Sequence, residues 1–171
     1  IDEGKGWDIF IKTVVLLKKR GFNVKAEMVG RGSQILELKN MLKEYQMEDD
    51  INYVGAIAYK DLPNIYPHFD LFVFPTQLFE SLGLVAIEAM SCGIPVIGNK
   101  IGGLQDYIKD GVNGFFVEGQ DAKDYCQIIK QYIELTDAER NEMKKQARLT
   151  ALEYDSEQTF NKLYTQLEKL L

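Results

Sequence analysis

Pro75-Thr-Gln-Leu-Phe-Glu80-Ser-Leu-Gly83-Leu-Val-Ala-Ile-Glu88-Ala-Met-Ser-Cys-Gly93-Ile-Pro95-Val-Ile97 is the stretch on which the fold of this chain turns. It follows the apolar run Leu71-Phe-Val-Phe74 and passes through a Gly-containing loop into a helical run over 84–92. It then opens a second apolar strand from Pro95 to Gly98. An uninterrupted apolar run such as Leu71–Phe74 suits a strand buried on both faces of a parallel sheet. A strand–loop–helix–strand order sets backbone N–H groups and the carboxylates of Glu80 and Glu88 at the carboxyl edge of that sheet. Open α/β sheets bind their ligands there.

Outward from this stretch, helical and extended patterns alternate. Trp7, Phe10, Ile11, Val14 and Val15 recur at helical spacing over 6–20, and Gly21 marks the stop. Residues 23–29 read as a strand, with Gly30-Arg31-Gly32-Ser33 as a turn and Ser33 as the expected N-cap of a helix carrying Ile35, Leu38, Leu42 and Tyr45. A strand over 51–55 precedes a short helix around 62–66, interrupted by Pro63 and Pro67. The Gly102-Gly103 pair opens another helix, and a strand lies over 115–117. The tail reads as helices over 121–135, from Thr136 onward, and over 156–170. Thr136-Asp-Ala-Glu139 matches a capping box. Phe160, Leu163, Tyr164, Leu167 and Leu170 share one face of the last helix, as core or domain-contact packing would require. Strands alternating with helices at this spacing predict an α/β fold: one parallel sheet with helices on both faces.

The chain has 171 residues, 46% of them hydrophobic, enough for one sizeable core and a single domain. Its 20 basic and 26 acidic residues leave a net charge of −6, which argues against a nucleic-acid partner. Cys92 and Cys126 fall in helical stretches without C-x-x-C spacing, so reduced thiols and a reducing, cytoplasmic compartment are expected. With His68 as the only histidine, no metal site is expected, and a Ser/His/Asp or Cys/His triad is a poor fit. No apolar run is long enough to span a bilayer, and no signal peptide is visible. The opening Ile1-Asp-Glu-Gly-Lys-Gly has no Met and runs straight into a helix, which reads as a fragment.

Several residues carry candidate chemistry, each with a structural alternative. Glu80 could accept hydrogen bonds from ligand hydroxyls, or serve only as an acid near a helix start. Glu88 lies among Val85, Ala86, Ile87, Ala89 and Met90, where an unpaired carboxylate is costly. It reads as a bidentate acceptor for a vicinal diol such as a ribose, or as a solvent-facing or ion-paired residue. The amides from Leu82 through Gly83 and Leu84 to Val85 lie at a helix N-terminus, a ready anion site, or simply make a tight turn. Gly30-Arg31-Gly32-Ser33 is a weak phosphate-loop candidate, being neither a Walker loop nor a complete dinucleotide fingerprint. Lys5, between Gly4 and Gly6, suits a phosphate contact. Lys60 and Arg31 are further phosphate or base candidates, though both fit ordinary surface positions.

Together these pieces resemble the C-terminal, donor-binding half of a retaining glycosyltransferase of the GT-B fold, in the large family four group. Glu80 and Glu88 match its E-x7-E motif, framed by Pro75, Gly83, Leu84, Ala89, Gly93, Pro95 and Val96. Lys5-Gly6, Val29-Gly30-Arg31-Gly32, Gly55, Gly103, Asn113-Gly114 and the Tyr164 helix match in support, so the likeness covers the whole chain. The resemblance implies a Rossmann-like sheet and a nucleotide-diphosphate sugar, with UDP, GDP or ADP, as donor substrate. It implies that Glu88 holds the ribose, Glu80 contacts the donor sugar, the Leu82–Leu84 amides cradle phosphate or sugar, and Lys5 neutralises the diphosphate. The fold group works without a bound metal, with retention of configuration, often in polysaccharide biosynthesis. Its acceptor, a glycan or lipid-linked molecule, is held by an N-terminal domain with no counterpart in these 171 residues, and the full enzyme can associate peripherally with the cytoplasmic membrane face.

Departures also follow. A basic residue common just before the point where this chain opens is absent, Leu82 stands where Phe is commoner, and the family's first strand of this domain is missing. Little or no activity of the fragment alone is therefore expected, and an open strand position should invite self-association through edge pairing. The competing readings are a GT-B nucleotide-sugar epimerase, a phosphorylase and a non-catalytic nucleotide-binding module. A dehydrogenase is disfavoured for want of a complete fingerprint.

Overall fold

The computed structural model describes residues 1–168. Strand β1 (Ala26–Val29) pairs with β2 (Ile51–Gly55). A second sheet runs β3 (Phe72–Phe74), β4 (Val96–Asn99) and β5 (Gly114–Val117), with β4 in the middle. Every pairing is parallel. Parallel neighbours need a crossover. These are supplied by α2 (Ile35–Glu44), α4 (Leu84–Ser91) and α5 (Leu104–Tyr107). Helix α1 (Trp7–Lys19) precedes the strands. A short α3 (Leu62–Ile65) links the two sheets between two single-turn 3-10 segments, with Pro63 in its first turn, where a missing N–H costs nothing. Helices α6 (Ala122–Glu134), α7 (Asp137–Leu152) and α8 (Ser156–Glu168) follow. The predicted α/β class with helices on both faces forms, but as two parallel sheets rather than the one expected, since among the described residues no ladder joins β1 to β3.

Strand β4 shows why. Val96 and Ile97 are both fully buried but belong to different cores, because successive strand side chains point to opposite faces. Ile97 joins Phe115, Val117, Tyr125, Ile129 and Met143 under α1 and α6. Val96 joins Ile87, Met90, Leu104, Tyr107 and Ala147 under α4 and α7. A third core holds Met28 and Ile51 against Trp7, Ile11 and Val14 of α1 and Leu38 and Leu42 of α2. Helix α1 thus supplies residues to the cores of both sheets, with Ile9 and Leu17 facing the larger one. The capping boxes at Asp121–Asp124 and Thr136–Glu139 form as side-chain and backbone reciprocals.

Four local readings change. Strand β1 begins at Ala26 rather than residue 23, since its first ladder bond runs from the Ala26 N–H to the Asp50 carbonyl. Lys18 and Lys25 both converge on the Asp50 carboxylate at 2.9 Å just ahead of that bond. Ser33 does not cap α2. Its N–H and hydroxyl both donate to Asp2 Oδ1, at 2.8 and 2.7 Å, and Gln34 takes the cap position with no side-chain cap bond, its Oε1 accepting from Trp7 Nε1 instead. The run Leu71–Phe74 is half-buried rather than buried, because only one edge of β3 is paired. Of the core and domain-contact readings of the last helix, the core one does not form: Phe160, Leu163, Tyr164 and Leu167 are exposed along α8, and Leu170 lies outside the described residues.

Candidate active site

The loop leaving β3 carries the first candidate. Pro75 and Thr76 are buried, and the chain then folds under the N-terminal segment, where the Gln77 N–H donates to the Gly4 carbonyl at 2.8 Å. Gly6, with φ of 72°, lies against the Pro75 carbonyl, and any Cβ there would collide with it. This close approach delivers Lys5 Nζ to 2.6 Å from Glu80 Oε1. The buried Thr76 hydroxyl donates to the same oxygen at 3.3 Å and accepts the Leu78 N–H. The Gly103 N–H holds the Glu80 carbonyl at 2.9 Å from the other side. The Glu80 side chain is only 17% exposed, whereas that of Lys5 is 45% exposed. A shielded carboxylate thus holds a cation that solvent and ligand can reach.

Helix α4 carries the second group. Gly83 (φ 73°) caps it in the left-handed region, with no side-chain cap bond. The first-turn amides of Leu84 and Val85 have no intrahelical carbonyl to bond, the arrangement that favours anions at helix starts. The Gly83 carbonyl accepts the Tyr107 hydroxyl at 3.3 Å. Leu82 is half-buried against the core beside Phe72 and Phe74, while Leu84 is exposed.

Glu88 lies further along α4 between fully buried Ala86 and Ala89. Its carboxylate is half-buried and has no hydrogen-bond or ion-pair partner among the described residues. Burial raises its carboxyl above the ordinary 4.5. Tyr66 responds to the same surroundings. Burial, and then the Glu88 charge, push its phenol up to about 12, and its hydroxyl donates to the Val85 carbonyl at 3.4 Å.

Lys5, Gly30, Arg31, Glu80, Leu82, Gly83, Leu84 and Glu88 all line one cleft of about 2230 Å³. Gly30 is already engaged: its N–H bonds the Gly55 carbonyl at 2.8 Å and its carbonyl accepts the Tyr53 hydroxyl at 2.9 Å. Arg31 is exposed at the rim. Lys60 lies in the exposed turn Tyr59–Asp61 and does not line the cleft. Sequence reading passed over three side chains that hold these groups: Thr76, Tyr66 and Tyr107. Only Thr76 carried a signal, as a lone hydroxyl between a strand end and Glu80. Among the described residues no cluster of three His, Cys, Asp or Glu could hold a metal, and no helix is long and apolar enough to cross a membrane. Cys92 and Cys126 are free thiols, and burial pushes the Cys126 thiol up.

Comparisons with known proteins place the chain in one family. The family model for glycosyl transferases group 1 matches residues 1–150. D-inositol 3-phosphate glycosyltransferase from Arthrobacter sp. (strain FB24) is 30% identical over 151 residues, which cover 86% of this chain and 35% of that protein. Anabaena HepE, solved in complex with UDP and glucose, is 25% identical with a TM-score of 0.87, covering 100% of this chain and 46% of that one. S. aureus TarM, solved with UDP among its ligands, is 27% identical with a TM-score of 0.84, covering 95% of this chain and 32% of that one. The chain thus spans about a third to a half of the length of these proteins. Its fold is the Rossmann-like C-terminal domain of a GT-B glycosyltransferase, and the chain belongs to the glycosyl transferases group 1 family.

Proposed function

We propose that these residues form the donor-binding half of a retaining glycosyltransferase that takes its sugar from a nucleotide-diphosphate sugar. The observation that carries this reading is the unpartnered, half-buried Glu88 in the same cleft as the Lys5–Glu80 pair and the open amides of α4. Glu88 is held ready to accept two hydroxyl donors of a ribose. Its raised pKa means that it must ionise against its surroundings, and charge-assisted bonds from a diol stabilise that ionised form. Lys5 and the Leu82–Leu84 amides face the diphosphate, and Glu80 faces the donor sugar. As the glycosidic bond breaks, negative charge builds on the diphosphate. Cations and amides fixed in place then stabilise the transition state more than the bound substrate.

Among UDP, GDP and ADP donors, UDP is favoured, since HepE and TarM were solved with UDP. Retention follows the family resemblance. The acceptor, a glycan or lipid-linked molecule, belongs to the rest of a longer enzyme acting in the cytoplasm. These 171 residues alone should turn over little or no donor, and robust transfer by them would overturn that expectation.

Metal-free titration calorimetry with UDP, GDP and ADP tests the reading. One nucleotide should bind saturably, and Glu88→Ala should weaken it by about 1.5–3 kcal/mol through loss of charge-assisted bonds. Unchanged affinity in that variant would remove Glu88 from the ribose site. Lys5→Ala should cost UDP more affinity than uridine, and equal losses would contradict the phosphate role.

A further inference from the structure

The turn leading into α5 packs directly behind the loop that runs from Glu80 to Gly83. A Cβ at Gly102 would fall on the Glu80 carbonyl and one at Gly103 on the Ser81 carbonyl, so only glycines fit there. The Gly103 N–H donates to the Glu80 carbonyl at 2.9 Å, and the Tyr107 hydroxyl donates to the Gly83 carbonyl at 3.3 Å. Positions 103 and 107 are about one helical turn apart, so both bonds come from the same side.

Tyr107 is itself held firmly. It is fully buried, its own carbonyl accepts Asn113 Nδ2 at 2.8 Å, and the same nitrogen bonds Thr150 of α7. The Tyr154 ring packs edge-on against it, with ring centres 5.7 Å apart. Burial, then Tyr154 and the Glu80 charge, push its phenol up, which keeps the hydroxyl a neutral donor.

A trans peptide is planar, and its C=O and N–H point in opposite directions. A group that grips the Gly83 carbonyl from the core therefore also aims the Leu84 N–H away from the core. The Gly103 N–H does the same for the Ser81 N–H through the Glu80 carbonyl. Ser81 and Leu84 line the cleft, whereas Gly103 and Tyr107 do not. Neither the Ser81 nor the Leu84 N–H has a hydrogen-bond partner among the described residues. Gly83 has no Cβ to limit its rotation, so the peptide that follows it takes its direction from such outside holds. A hydrogen bond at the carbonyl end of a peptide also polarises its N–H into a better donor.

We propose that Tyr107 is a positioning residue. From inside the core its hydroxyl aims the Leu84 N–H, beside the Ser81 N–H held by Gly103, at an anionic group in the cleft. That this anion is the diphosphate of a nucleotide rests on the donor-site reading above. Tyr107 acts only through the backbone and does not touch the ligand. Glu88 lies more than a turn further along α4, so a nucleoside without phosphate should not register the loss of the hydroxyl.

Titration calorimetry of the chain with UDP, uridine and inorganic pyrophosphate tests this, beside Tyr107→Phe and Tyr125→Phe. Tyr107→Phe keeps the ring and removes the hydroxyl. It should weaken UDP and pyrophosphate by about three- to tenfold, the worth of one hydrogen bond, and leave uridine unchanged. Tyr125→Phe removes a buried hydroxyl bond remote from the cleft and should leave all three unchanged. In the free chain, the amide nitrogen resonance of Leu84 should shift in Tyr107→Phe and stay in place in Tyr125→Phe. UDP affinity unchanged in Tyr107→Phe would overturn the proposal. So would equal losses of UDP and uridine, or an equal loss of UDP in Tyr125→Phe, since either would make the hydroxyl a support of the fold alone. A parent chain that binds neither UDP nor uridine would defeat the nucleotide reading instead. Pyrophosphate then decides: a loss confined to Tyr107→Phe upholds the proposal, and no binding, or no loss, ends it.

Discussion

The two sheets of this protein are built from the same kind of parallel pairing but live in different surroundings. Strand β4 is bonded on both edges and covered on both faces, and all four of its residues are buried. Strand β1 is bonded on one edge, and of its four residues only Met28 is buried. The contrast is already written in composition. Pro95-Val-Ile-Gly is apolar throughout, while Ala26-Glu-Met-Val places a charge in the middle. The strand shared by two cores carries its one polar residue, Asn99, only at its end and with every polar atom bonded, whereas the strand at an open edge keeps a charge in its middle. The candidate site residues gather where the two kinds of strand end together, Glu80 and Glu88 following β3 of the three-stranded sheet and Gly30 and Arg31 following β1 of the two-stranded one.

The comparison can be broken most directly in the cores. Ile97→Ala should destabilise the chain by about 3–5 kcal/mol, toward the upper end for a large-to-small change at a site that cannot collapse. Met28→Ala, in the two-stranded half, should cost about 2 kcal/mol, because the open groove beside β1 lets its surroundings relax. Urea denaturation of both variants checks this, and equal losses would mean that the two halves are packed alike. A smaller effect is expected at the buried Tyr125 hydroxyl, which donates to Asn99 Oδ1 at 2.6 Å while Asn99 Nδ2 donates to the Val117 and Gly119 carbonyls. Tyr125→Phe strands the Asn99 oxygen and should cost about 1–3 kcal/mol in the same assay. Thr136→Ala, which removes one member of the α7 capping box, should cost about 1 kcal/mol.

Glu88 offers a test with a sign. Its folded-state pKa is raised, so the folded chain holds that proton more tightly than the unfolded chain does. Its contribution to stability is therefore most favourable below the ordinary 4.5 and is lost as pH rises through the folded value. Glu88→Gln should match the parent in thermal melts at acid pH and melt higher at neutral pH. A constant difference across that range would mean that burial does not perturb the carboxyl.

Much of this was legible in the sequence where causes are local. The apolar run at Val96-Ile97, the stop at Gly21 and the capping box at Thr136–Glu139 depend on neighbours within a few positions. The motif glutamates and Lys5 were legible as well, and the structure brings them into one cleft. What escaped depends on residues far apart in the chain. Ser33 should have capped α2 by local rules, but Asp2, thirty-one positions away, offers a charged acceptor for both its N–H and its hydroxyl. Tyr66 emerges from a proline-broken turn and meets Glu88 only through tertiary packing. Tyr107 reaches Gly83 across twenty-four positions. Half-burial of Leu71–Phe74 reflects an edge, and whether a strand is an edge depends on its neighbours rather than on its own residues.

Helix α1 belongs to two cores at once, with Ile9 and Leu17 in one and Ile11, Val14 and Val15 in the other. Among the described residues no hydrogen-bonded ladder joins the two sheets, and this helix packs into the cores of both. The cooperativity of unfolding therefore rests largely on thirteen residues near the start of the chain. A substitution that weakens α1 should therefore split a single melting transition into two, the two-stranded part melting first.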